Sequence, residues 1–110
     1  EFMRWAGATF DLVCLLTSHR EHAYESWPGP ASAGWPCPPS LAWKDSKTEP
    51  LPGLLRAGYR LFWAEDRLLE SEAQWQRRHA MVHYVDCRGA GDLPEVKRRL
   101  LRAMAEARKG

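Results

Sequence analysis

A chain of 110 residues with 45% hydrophobic and 27% charged side chains falls in the range of ordinary globular domains, which excludes the disordered and membrane classes. Its length is that of a single domain, residues 1–110, and such a chain buries roughly two thirds of its unfolded surface. The net charge of +2 excludes a strongly polyionic chain, although Lys97, Arg98, Arg99, Arg102, Arg108 and Lys109 crowd the C-terminal end against only Glu95 and Glu106.

Glu1 and Phe2 ahead of Met3 look like a cloning remnant and are left out of the fold reading. No basic stretch followed by an apolar segment and a cleavage site marks a secretory signal. The longest strictly apolar run, Leu12 to Leu16, is far short of the ~20 residues of a spanning helix, so no membrane partner is expected. Cys14, Cys37 and Cys87 are odd in number and widely separated, which argues against a disulfide framework and for a reducing compartment. A cytoplasmic location is the expectation.

The first predicted element is a helix over 9–24, because Arg20, Glu21, His22 and Ala23 continue the apolar run comfortably. The short apolar stretch near 9–16 also suits a buried strand. Residues 26–52 are poor in helix formers and carry all but one of the eight prolines, so they are expected to form an irregular strap rich in tryptophan and proline. Pro36 to Pro39 has the PxxP spacing of a polyproline ligand. Three indoles carry a large apolar area, however, so Trp27, Trp35 and Trp43 are read as packed on the helices.

From Pro52 to Cys87 only Gly53 and Gly58 interrupt, both near the start. Leu54, Leu61, Leu68, Trp75 and Val82 recur every seven residues, as a stripe on one helix would. The spacing predicts a helix over 53–87, ~50 Å long at 1.5 Å per residue, that either kinks near 63–72 or pairs with a second copy of the chain. A homodimer through the leucine stripe is the expected partner. Strand propensity in Met81 to Val85 gives the alternative, an α+β fold with short strands near 9–16 and 81–86. The last helix, 93–108, is announced by Asp92 as N-cap, Pro94 in the first turn and Glu95 at capping-box spacing. Gly89 and Gly91 are expected to stop the long helix and turn it into a helical hairpin with the last one. The fold expected is thus all-α or nearly so.

Three constellations could carry chemistry. His79 and His83, four apart on a helix, would project to one side and could share a divalent metal with Glu72, Asp86 or Cys87 as a further ligand and His22 as a third nitrogen; a pair of this kind without an HExxH or paired CxxC pattern is more often a solvated flank. Lys97, Arg98, Arg102 and Lys109, extended by Arg77 and Arg78, form a basic face suited to nucleic acid or a protein partner, set against an ordinary solvated face favoured by the helix dipole. Trp35, Trp63 and Trp75 could line an apolar pocket for a small molecule. Arg88 to Asp92 lacks the spacing of a phosphate loop. No catalytic residue set emerges. The preferred reading is a small non-enzymatic binding or regulatory protein acting through protein contacts, with nucleic acid along the C-terminal helix. A metal-dependent helical protein and a tryptophan-lined binding module are the alternatives.

Overall fold

The computed structural model describes residues 2–14, 16 and 41–109. The chain forms two compact units, Glu1–Pro50 and Leu51–Gly110. In the first, α1 (Phe2–Thr9) takes in the Phe2 that the sequence reading leaves out. Trp5 stands 5.7 Å from the Phe2 ring and packs edge-on to Phe10 at 5.8 Å, and Ala6 is buried. Farther on, the Glu49 carboxylate accepts the N–H groups of Lys44, Asp45 and Ser46 at 2.7 to 2.8 Å. These bonds hold it below the usual carboxylate range.

The second unit opens with α2 (Leu51–Arg56). Gly58 ends it, at φ 96°, a conformation open to glycine because it has no Cβ. The Gly58 N–H donates to Leu55 O at 3.0 Å and the Tyr59 N–H to Leu54 O at 3.1 Å, the paired bonds of a Schellman motif. The chain leaves this cap extended as β1 (Leu61–Glu65), a run of bulky and aromatic residues. β2 (Val82–Asp86), equally rich in β-branched and aromatic side chains, pairs with it in parallel, Leu61 beside Val82 through to Glu65 beside Asp86. Parallel strands need a crossover, and α3 (Glu70–Arg77) supplies it.

No glycine or proline marks the start of α3. Leu69 is extended and its side chain has no acceptor, so Glu72 turns back and takes the Leu69 N–H at 2.8 Å. Glu72 is only 4% exposed, and this bond serves one of the helix's orphan donors. At the other end Arg78 and His79 donate to Trp75 O and Gln76 O, and the Gln76 amide donates to Val82 O at 2.9 Å, tying helix to strand. Cys87 to Ala90 form a turn with Gly89 at φ 71° in its third position, as a type II turn requires. α4 (Leu93–Lys109) completes the unit. Its core is Leu51, Trp63, Val82, Val85 and Leu100.

The architecture is therefore mixed α/β, and the all-α expectation is overturned. The helix predicted over 53–87 does not form: its seven-residue apolar row is divided among α2, β1, the loop after β1, α3 and β2. Without that helix there is no leucine stripe for a dimer, and no hairpin of two helices. The strand near 81–86 is present, as the alternative has it, whereas residues 10–14 and 16 are neither strand nor helix. Of the helix over 9–24 only Thr9 is helical among the described residues; 17–24 lie outside them. So do His22, Trp27, Trp35 and the strap up to residue 40. The helix over 93–108 is borne out, with the Glu95 N–H bonded to the Asp92 carboxylate at 3.0 Å. The Glu95 carboxylate does not close the capping box, because it pairs with Arg98 and Arg99 instead.

Candidate binding surface

Both ends of the two-stranded sheet gather charge, but they use it differently. At the carboxyl end the Arg88 guanidinium lies against the Asp86 carboxylate at 2.7 Å, holding Asp86 below the usual carboxylate range. Arg99 donates to the carbonyls of Asp86 and Arg88 at 3.0 and 2.7 Å and to Glu95 at 3.1 Å. The Glu65 carbonyl takes both the Tyr84 hydroxyl and the Cys87 N–H. Burial pushes the Cys87 thiol up, which makes it a poor nucleophile. These groups satisfy one another and hold the loop between β2 and α4 in place.

The amino end is different. Arg60 precedes β1 and reaches across to donate to Ala107 O at 3.3 Å and to the Met81 sulfur at 3.8 Å. It thus serves a carbonyl in the last turn of α4, where a cation is favoured, and fixes that basic terminus beside the start of the sheet. Beside Arg60, which does not line it, lies a shallow cleft of about 300 Å³ whose lining includes Leu55, Tyr59, Arg78, His79 and Met81. The His79 ring stacks on Trp75 with centroids 4.0 Å apart and planes 24° from parallel. Its Nδ1 is 2.6 Å from Trp75 O. A carbonyl only accepts, so Nδ1 carries the proton and Nε2 is left for an outside group.

Along α4, Arg98, Arg102 and Lys109 fall on one exposed stripe by their spacing of four and seven. Arg98 is held by Glu95. The side chains of Arg78, Arg102, Arg108 and Lys109 make no hydrogen bond or ion pair among the described residues. Arg77 meets Glu70 at 3.5 Å with both side chains largely in water, a pairing of little energetic weight. Lys97 sits on the flank, half-buried.

The other predicted sets do not assemble. His79 lies in the turn after α3 and His83 within β2, so helical spacing no longer brings them together. Glu72 is committed to the start of α3 and Asp86 to Arg88. Among the described residues no group of three His, Cys, Asp or Glu could hold a metal ion, and His22 lies outside them. Trp63 is buried in the core and Trp75 is covered by His79, so they line no common pocket, and Trp35 is outside the described residues. Tyr59 and Arg60 are what sequence reasoning misses. The signal for them is Gly58, which as a helix stop places the next two residues at the entrance of a strand.

His83 stacks on Phe62, its register partner, at 5.0 Å. Burial and the nearby Arg60 charge hold its imidazole below the ordinary 6.5. A histidine titrating lower when folded than when unfolded adds stability that is complete above its unfolded value and lost as pH falls through the folded one. Denaturation midpoints should therefore fall between about pH 7 and pH 5, and His83→Phe should flatten that fall. Equal pH slopes in the two proteins would contradict it.

Among the described residues no helix is long and apolar enough to cross a membrane. No protein-family model, curated protein or solved structure matches the chain.

Proposed function

We propose that this chain is a small, non-enzymatic, cytoplasmic binding protein that holds the phosphate backbone of a nucleic acid. The exposed stripe of α4 and the amino end of the sheet would form its contact surface. The observation that carries this reading is the contrast between the two sheet ends. At the carboxyl end Arg88 and Arg99 are consumed by internal partners and Arg67 alone is left without one, whereas at the amino end and along α4 the side chains of Arg78, Arg102, Arg108 and Lys109 are left unpaired among the described residues. Cations held on a rigid frame without internal anions favour phosphate, and the released counterions make such binding salt-dependent. Arg60 contributes by anchoring α4 to the start of β1.

Binding of a single-stranded RNA, followed by fluorescence anisotropy across a salt series, tests the reading. A log–log slope of roughly −0.7 per neutralised phosphate is expected. Arg102→Ala combined with Lys109→Ala should make the slope shallower by that amount for each phosphate the variant no longer neutralises. Binding that ignores salt, or a double variant with the parental slope, would sink it.

A second surface favours a protein contact. Leu69 and Leu93 are 60% and 53% exposed, and they stand where α3 and α4 begin, at the carboxyl end of the sheet. A partner protein or a second copy of the chain would cover them, and loss of self-association on Leu93→Lys would identify the second copy.

A further inference from the structure

We infer that the cleft at the amino end of the sheet is a subsite for one unpaired nucleobase together with its phosphate. This rests on the reading of the chain as a nucleic-acid-binding protein and adds what that surface selects, single strands over duplex. The cleft combines three features that a flat basic face lacks. Its lining includes the aromatic residues Tyr59 and His79, and the His79 ring is immobilised on one face by the Trp75 stack and by its bond to Trp75 O. A ring held in this way can take a base on its π face without further ordering, which is how proteins read splayed-out bases. Leu55 and the half-exposed Met81 add apolar surface, and the methionine sulfur suits a polarisable aromatic face.

The second feature is charge. Arg78 lines the same cleft and has no anionic partner among the described residues, so its guanidinium is available to a phosphate in fork geometry. The third is size. About 300 Å³ is at the lower limit of small-molecule sites, which suits one heterocycle and excludes a stacked run of bases. A paired base inside a duplex cannot present its face to such a wall. The selectivity for single strands therefore comes from access. With Nδ1 protonated, His79 Nε2 is an acceptor and can take a hydrogen bond from a donor of the bound nucleotide.

Titration of the whole chain with adenosine monophosphate and with ribose 5-phosphate, followed by NMR at low salt, tests the subsite. Both carry the same phosphate, and only one carries a base. The nucleotide is expected to bind roughly tenfold more tightly. Tyr59→Ala should remove that advantage, with Tyr59→Leu as the second variant should the first not fold, and Arg78→Ala should weaken both ligands. Equal binding of the two ligands overturns the subsite. If RNA still binds with the salt slope above, only the subsite has failed. A nucleotide advantage with no RNA binding keeps the subsite and overturns the wider reading. No binding by any probe overturns both.

Discussion

Trp63→Ala is expected to destabilise the Leu51–Gly110 unit by about 3–5 kcal/mol, the range for truncating a large buried aromatic. Trp63 is 6% exposed in the middle of β1, and the core around it is small. Domain stabilities lie at about 5–15 kcal/mol, so this one change would remove a large part of the total. The indole is not ideally housed. Its Nε1 is buried and has no hydrogen-bond partner among the described residues, and an orphan donor of this kind costs about 1–3 kcal/mol. Trp63→Phe deletes that donor while keeping most of the apolar area, so it should cost less than about 1.5 kcal/mol. Urea denaturation of the three proteins decides the matter. A large loss with Phe would mean that the indole nitrogen has a partner.

The adjacent leucines of α4 should differ sharply. Leu100 is 6% exposed and Leu101 43%, one turned into the core and the other toward solvent by the 100° step of the helix. Leu100→Ala is expected to cost about 2–5 kcal/mol and Leu101→Ala within about 0.5 kcal/mol. The difference also matters for function. Arg98, Arg102 and Lys109 keep their orientation only while Leu100 seats the helix, so Leu100→Ala should weaken RNA binding without removing a charge, and Leu101→Ala should not. Similar losses from both leucines would place α4 in a different rotation.

α4 is the most legible element, because Asp92, Pro94 and a clean apolar stripe act locally and agree with one another. The region before it misleads for a definite physical reason. Its breaks are made by side chains acting at short range rather than by proline or glycine: Glu72 folding back onto Leu69, and His79 closing over Trp75. The one glycine break, Gly58, falls so early in the apolar row that it reads as the start of a helix rather than the end of one. The row itself misleads, because a seven-residue recurrence also arises when α2, β1, the loop after β1, α3 and β2 each contribute one apolar residue, of which Val82 alone is buried. Val82 to Val85 do show strand propensity, and that weaker signal is the correct one. For the candidate surface, Arg78, Arg102, Lys109, Trp75 and His79 all stand out in the sequence, but in separate sets. Only the parallel pairing and the reach of Arg60 to Ala107 bring the end of α4 to the cleft.

The most direct test of the phosphate-binding claim is a map of backbone amide shifts on adding a single-stranded oligonucleotide to the isotopically labelled chain. Perturbations are expected at Tyr59, Arg60, residues 78–81 and the stripe of Arg98, Arg102 and Lys109, with Asp86 and Arg88 at the opposite end of the sheet unchanged. Perturbations centred on Asp86 to Asp92, or none at saturating oligonucleotide, would contradict it.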